Sequence, residues 1–390
     1  MWRIRLALEL DGKQRDAALT TVMSMTQGRG AALNAVPVRW LLPLDNDLRD
    51  AGDAANRRRL LAMLAEPSHV PIEPIPVADL IHRRYAEVLY DVGEKEAALG
   101  LVAQIETPST LMAVSVDPRF LAAVPAGFNA RNAMEVHLAR LQEIALRHPA
   151  SLDVVIEIAA AQRRLGQPDA ALATLHANDP TIAGARAFAD KGEKLNWWWD
   201  GVARSYEEAG RYEQAISAMR QGMGIKEGGQ PNVSQTINLA EAHLRFGHFD
   251  EALALLSVFD RESLPASPYG LMAMRYARGC AAQRAGKGDL HGDVAFAKAH
   301  SKDHPQALGD LLLCVGDIDG VAVAFIARLD DPARRVDALL ELSDYAAPVA
   351  TVPVDPVYGR LPELTARGDV KAAVTRAGGT RKFNVLRQDL

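Results

Sequence analysis

The sequence predicts an all-α fold in which helical hairpins stack side by side as an α-solenoid. Three observations predict it: a composition that favours helix, a recurring spacing of small and aromatic side chains, and a near absence of strand patterns. At 390 residues, the chain exceeds one compact domain of roughly 100–200 residues. It therefore forms either several globules or one elongated repeat array.

The composition favours helix because Ala, Leu, Arg and Glu are abundant while aromatic residues make up only 6% of the chain. Ala has no side-chain entropy to lose in a helix, and the straight-chain residues lose little. The apolar stretch Val349–Val354 is the nearest approach to a strand, but prolines at 348, 353 and 356 interrupt it, so we expect an extended linker. The basic tail Arg381–Leu390 is expected to fray.

The clearest repeat places small and aromatic residues at helical steps of three and four, on one face of each of two helices. Gly210 falls between the helices, where a chain reversal needs a residue that tolerates positive φ. Ala215 is small where the second helix presses against the first. The full series is Trp199, Val202, Ala203, Tyr206, Gly210, Tyr212, Ala215, Met219 and Gly222.

Further copies of this pattern occur on both sides. Leu239–Phe259 repeats it around Gly247, 37 residues after Gly210, and upstream copies surround Gly166 and Gly93. Weaker copies centre on Gly12 with Ala17, on Gly286, and on Gly316 with Ile318. Because 44 residues separate Gly166 from Gly210, the excess at Asn178–Leu195 predicts a longer connection or an extra helical turn.

This pattern resembles the tetratricopeptide repeat (TPR), most strongly over residues 150–260. The resemblance implies a right-handed superhelix (α-solenoid) of TPR-like helical hairpins, with atypical repeats at the ends that cap the stack. It predicts degenerate hairpins over 1–130, a TPR-like array over 131–345, and a linker, short capping helices and a tail over 346–390.

The resemblance also implies where a partner binds, because the first helix of each hairpin lines the inner wall of such a superhelix. The residues placed on that wall are Asp153, Glu157, Arg163, Trp197, Asp200, Arg204, Glu207, Asn238, Glu241, Arg245, Tyr276, Gln283 and Arg284. Some members of the family clamp a C-terminal carboxylate with Lys and Asn, but Asp200 and Arg204 stand in those positions here. We therefore expect a protein or peptide partner of another kind, with a solvated polar helix face as the alternative interpretation of these residues.

Three consecutive tryptophans, Trp197, Trp198 and Trp199, cannot share one helix face, because successive helical residues are about 100° apart. Trp199 occupies the interior aromatic position of the repeat, and Trp198 is expected to pack on the preceding hairpin. Trp197 falls at a position that faces the inner wall, where an exposed Trp could anchor a partner. The alternative is that Trp197 fills the space left by the 178–195 insertion.

No pattern indicates catalysis or a cofactor: there is no phosphate-binding Gly-rich loop, no Cys-x-x-Cys and no nucleophile elbow. A net charge of −5 argues against nucleic-acid binding, and the Arg57–Arg59 cluster is interpreted as a solvated helix face. The grouping of His291, Asp293, His300 and His304 could hold a metal, but an exposed segment between helices is the preferred interpretation.

The two cysteines, Cys280 and Cys314, lie in apolar helical surroundings and are expected to be buried free thiols. No apolar stretch reaches the roughly 20 residues of a membrane span, and Met1–Leu10 lacks the features of a signal peptide. We therefore expect a cytoplasmic, non-enzymatic scaffold that binds a peptide or protein. A periplasmic location with a missing upstream signal, a subunit of an envelope or secretion assembly, and a helical enzyme or metal-dependent module remain the alternatives.

Overall fold

The computed structural model describes residues 2–27, 31–75, 77–182, 187–226, 229–262, 266–287, 290–354 and 357–387. As predicted, the chain is all-α, with two short strands among its described residues. It divides into two compact units, Met1–Ala133 and Met134–Leu390. None of the described helices is both long enough and apolar enough to cross a bilayer.

The first unit consists of short helices paired into hairpins. The helices are α1 (Trp2–Asp11), α2 (Arg15–Gln27), α3 (Ala31–Asn34), α4 (Val38–Asp50), α5 (Ala54–Ala65), α6 (Ala78–Asp91), α7 (Lys95–Val102) and α8 (Pro108–Val116). A further helix, α9 (Ala130–Arg147), begins at its end.

The first hairpin, α1–α2, is shifted by one residue from its predicted register. The left-handed backbone conformation falls at Lys13 (φ 52°), not at Gly12, and the small buried side chain is Ala18 in place of Ala17. A weak copy of the repeat has few matching residues that fix its alignment to the sequence, and this explains the one-residue error.

The predicted solvated face at Arg57–Arg59 is wrong for Arg57. Its Nε lies 2.8 Å from Oδ1 of Asp45, and Arg84 Nη1 lies 2.6 Å from Oδ2 of the same carboxylate. Asp45 is 1% exposed, so its charge must be compensated by these two guanidinium groups. Asp45, which pairs with Arg57, lies 12 residues away in sequence, on α4.

The second unit is a row of helical hairpins. Its helices after α9 are α10 (Leu152–Arg164), α11 (Pro168–Ala177), α12 (Lys191–Glu208), α13 (Tyr212–Met223), α14 (Val233–Arg245), α15 (Phe249–Glu262), α16 (Pro268–Ala285), α17 (His291–Ala299), α18 (Pro305–Val315) and α19 (Ile318–Asp330). It ends with α20 (Arg335–Glu341), β1 (Asp344–Ala346), α21 (Leu361–Ala366), α22 (Gly368–Ala377) and β2 (Lys382–Leu386).

The turns of these hairpins form at the predicted glycines. Gly210 lies between α12 and α13 with φ 72°, and Gly247 lies between α14 and α15 with φ 82°. A side chain is strained at such φ values, which is why glycine marks the turns. Ala215, at the predicted close contact between helices, is fully buried in a core that α10–α14 share.

The long connection between α11 and α12 is tied to the array at Asp190. Its carboxylate accepts hydrogen bonds from the backbone N–H of Leu152 (2.7 Å) and of Asp153 (3.0 Å), at the start of α10. These are N–H groups that the helix itself cannot satisfy. Both predicted alternatives hold, since the described residues 178–182 and 187–190 form no helix and α12 starts early, at Lys191.

The expectation of a frayed tail is wrong. Strand β2 pairs in parallel with β1, and Phe383 and Val385 are buried while the residues between and before them are exposed. Residues 347–354 have no regular secondary structure, but they pack on the hairpins and do not act as a free linker. Residues 388–390 lie outside the described residues.

The prediction of free thiols is also wrong. Cys280 of α16 and Cys314 of α18 form a disulfide, with their Cα atoms 5.7 Å apart. Both cysteines are buried, as expected. Sequence spacing could not show this pairing, because the two helices become neighbours only when the hairpins stack.

Candidate functional site

Helices α10, α12, α14 and α16, each the first of its hairpin, line one side of the second unit. We call this surface the first-helix face. α10 packs on α12 and α14 packs on α16. All 13 residues that the resemblance assigned to the inner wall lie on these four helices.

Two ion pairs join α10 to α12. Asp153 pairs with Lys194, and Arg163 Nη1 lies 3.0 Å from Glu208 Oε1. The pairs occur in the same order along both helices, so the two helices run parallel. Asp153 and Arg163, both predicted as partner-binding residues, thus pair with residues of the neighbouring hairpin.

A second set of contacts joins α12 to α14. The guanidinium of Arg245 binds both carboxylate oxygens of Glu207, at 2.6 and 2.9 Å, and Asn238 Nδ2 donates to Asp200 Oδ1 at 3.0 Å. Such a two-point contact fixes orientation as well as distance. Within the helices, Asp200 also binds Arg204 Nε at 2.8 Å, and Glu241 lies 4.0 Å from Arg245.

Trp197 lies between these two rows of contacts. Lys194 and Glu208 point from α12 towards α10, while Asp200 and Glu207 point towards α14. At 100° per residue, Trp197 falls between the two directions and faces away from the hairpin core. Its side chain is 40% exposed. An aromatic side chain thus stands open to solvent on a face whose polar groups pair with each other.

The other two tryptophans take the expected positions. Trp198 is fully buried, and its Nε1–H donates to the backbone carbonyl of Leu175 on the preceding hairpin at 3.3 Å. Trp199 is partly buried against the core shared by α10–α14 and lies edge-on to Trp198, with ring centroids 4.8 Å apart.

Glu157 of α10 is an exposed acid of the first-helix face. The pKa of its carboxyl is raised, first by the desolvating protein around it and then by the nearby charge of Asp153.

The predicted residues on α16 fall into two environments. Desolvation and the nearby acids Asp310 and Glu241 raise the pKa of the Tyr276 hydroxyl. Gln283 and Arg284 are exposed, close to the end of the helix.

The C-terminal segment lies against the far ends of these helices, which sequence reasoning missed. Strand β2 contacts α10, and residues 349–354 pack on the turns that follow α10, α12 and α14. Desolvation lowers the pKa of Arg164 to about 10. Trp197 and Glu157 lie nearer the starts of α12 and α10, and both are exposed.

The four residues weighed as a metal site do not meet. Asp293 is buried and binds Arg275 at 2.8 Å and Arg278 at 2.5 Å, so its charge is already compensated. His300 ends α17, and His304 stacks on Tyr269 with ring centroids 3.9 Å apart. Among the described residues, no three His, Cys, Asp or Glu side chains gather as metal ligands would.

The fold is an all-α array of helical hairpins of the α-solenoid class. Solved structures similar to it include a tetratricopeptide repeat protein from Parabacteroides merdae, at 12% identity, covering 77% of this chain and 96% of that one, with a TM-score of 0.35. The assembly chaperone of RpL4 (Acl4, residues 1–338) is 16% identical over 63% of this chain and 95% of its own, with a TM-score of 0.25.

At these identities and TM-scores the matches carry no argument about partners. No family model matches this chain, and no curated protein matches it.

Proposed function

We propose that this chain is a non-enzymatic scaffold that binds a peptide or protein segment on the first-helix face, with Trp197 as the anchor. The observation that carries the proposal is the 40% exposure of Trp197 between two rows of paired polar side chains. A large aromatic side chain on a preorganised surface is typical of a binding hot spot.

The ion pairs serve this function by keeping the face rigid. Because Asp153, Arg163, Glu207 and Arg245 bind across neighbouring helices, they hold the helices at fixed separations before a partner arrives. A preorganised face loses less entropy on binding. The predicted set therefore divides into residues that shape the face and residues such as Trp197 and Glu157 that are open to contact a partner.

The charges of the face favour a partner that carries both signs. Acidic and basic groups alternate from α10 to α14, and Glu157 adds an exposed acid near Trp197. A polyanion would meet repulsion from the acids of this surface. An extended peptide or a partner helix with an apolar residue and both charges fits it.

Ligands selected from a random peptide display library on the full chain test the proposal. Their Kd values are then measured by fluorescence anisotropy for the parent, Trp197→Ala and Val323→Ala. Loss of a hot-spot aromatic weakens binding by about tenfold or more. Val323 on α19 is 70% exposed and lies off the first-helix face, so its variant should bind as the parent does. Equal affinities for the parent and Trp197→Ala would overturn the proposal.

A further inference from the structure

A second surface of this unit already holds a peptide-like segment. Residues 349–354, which we call the strap, cross the turns of three successive hairpins. The Val349 side chain lies 3.6 Å from where a Cβ on Gly166 would be, Ala350 lies 3.2 Å from that of Gly210, and Val354 lies 3.5 Å from that of Gly247. We call the surface formed by these three turns the turn edge.

Half-buried and exposed residues alternate along the strap, although the exposed Val349 also contacts the Gly166 turn. Ala350, Val352 and Val354 are half-buried, and Val352 packs on the core that α10–α14 share. Val349, Thr351 and Pro353 are exposed. This alternation is typical of an extended segment laid on a surface that reads every second side chain.

Glycine turns make the close approach possible. Gly210 and Gly247 have no side chain, so the strap can lie directly against the backbone of the turns. The backbone N–H of Val354 donates to the carbonyl of Arg245 at 2.9 Å, at the end of α14, and Tyr212 Oη donates to the carbonyl of Thr351. The Arg245 carbonyl is one that the helix cannot satisfy itself.

The strap is held less firmly than the chain on either side of it. Before it, β1 pairs with β2. After it, Val357 is buried and Arg360 Nη1 donates to the carbonyl of Leu313 at 3.2 Å. Between these anchors, half of the strap side chains face solvent, and its two hydrogen bonds are those just described for residues 349–354.

We propose that the turn edge is an exchangeable docking surface for an extended segment of a partner protein, which the strap occupies in cis. The partner segment carries small or β-branched apolar residues at every second position, as the strap does. Pro353 within the strap and Pro348 just before it stiffen this segment, and such stiffening lowers the entropy lost on docking. The surface differs from the first-helix face, so this inference does not depend on the function proposed above.

The test uses the full chain and a labelled synthetic peptide with the sequence of residues 346–354. Because the strap is tethered at both ends, its effective concentration at the turn edge is on the order of millimolar. Intact protein should therefore bind the peptide weakly. The double variant Val352→Glu/Val354→Glu releases the strap, and it should bind the peptide at least tenfold more tightly.

Three controls make the result specific. Thr351→Glu alters an exposed side chain of the strap and should bind the peptide as weakly as the parent. A peptide carrying the two Glu changes should not bind the released variant. Trp197→Ala, added to the released variant, should leave the peptide affinity unchanged, which separates the turn edge from the first-helix face.

Absence of peptide binding by a released variant with parental helix content would overturn the proposal. A second measurement does not depend on that variant folding. With a photoreactive group at the Ala350 position, the peptide at millimolar concentration should label the α12–α13 turn of intact protein; labelling elsewhere would overturn the proposal. If intact protein forms dimers and the released variant does not, the occupant of the turn edge is the strap of a second copy. That result would overturn the proposal of a separate partner protein.

Discussion

The disulfide between Cys280 and Cys314 gives a prediction whose magnitude follows from the structure. It joins the first helices of two successive hairpins, α16 and α18, and closes a loop of 34 residues. Cross-linking a loop of this length removes roughly 12–13 cal/mol/K of entropy from the unfolded chain, or about 4 kcal/mol at 25 °C. In a unit of this size, about 4 kcal/mol corresponds to a fall in Tm of roughly 8–15 °C.

The assay compares thermal and urea unfolding of the full chain with and without a reductant. Cys280→Ala/Cys314→Ala serves as the control, because any effect of the reductant that does not act through the bond persists in it. We expect reduction to lower the Tm of the parent by about 10 °C and to leave the variant unchanged. Intact mass before reduction should show the parent two hydrogens lighter than its dithiol form. Two alkylatable thiols in native, unreduced protein would refute this reasoning, and so would a reduction effect below about 1 kcal/mol.

Two further predictions concern the core and one buried histidine. Ala215→Asp should cost more than about 3 kcal/mol, because it buries an unpaired charge, and hydrogen exchange should show lost protection in α10 and α14 as well as in α13. Gln214→Asp, at the exposed neighbouring position, should cost less than about 0.5 kcal/mol. If the Ala215 variant lost hydrogen-exchange protection only in α13, the shared core would be contradicted. Desolvation and the neighbouring His248 lower the pKa of His243 from 6.5 to about 4. Below about pH 6.5 the unfolded state therefore binds a proton at this residue that the folded state does not, and the free energy of unfolding falls as the pH drops towards 4. Urea unfolding should show a fall of up to about 3 kcal/mol from pH 7 to 4 that His243→Gln reduces, and identical pH profiles would contradict this assignment.

The hairpin array could be predicted from sequence because its determinants are local. Gly210 and Gly247 mark turns that need positive φ, and Ala215 marks a close helix contact. The residues that determine one hairpin therefore all lie within one short stretch of sequence. Helical phase likewise placed Trp197 at a position that faces the inner wall, away from the hairpin core, and Trp197 is exposed.

The features that sequence reasoning missed all depend on contacts between distant residues. Three pairs of neighbours form only when the helices pack together: Asp45 with Arg57, Cys314 with Cys280, and the turns with the strap. The alternation of Phe383 and Val385 was a strand signal within the sequence, but five residues are too few to outweigh a basic terminal context. The candidate site was predicted as a set of residues. Only the three-dimensional structure distinguishes the side chains that pair across helices from those that remain exposed.

The central claim of this account is that the first helices of successive hairpins lie side by side and form one face. A double-mutant cycle on Glu207 and Arg245, which are 38 residues apart in sequence, tests it most directly. With Glu207→Gln and Arg245→Gln, the two-point contact predicts a coupling free energy of at least about 1 kcal/mol in urea unfolding. A matched cycle between Glu207 and the exposed Arg284 should be additive within about 0.3–0.5 kcal/mol. Additivity of Glu207 and Arg245 would contradict the face, and with it the site proposed for Trp197.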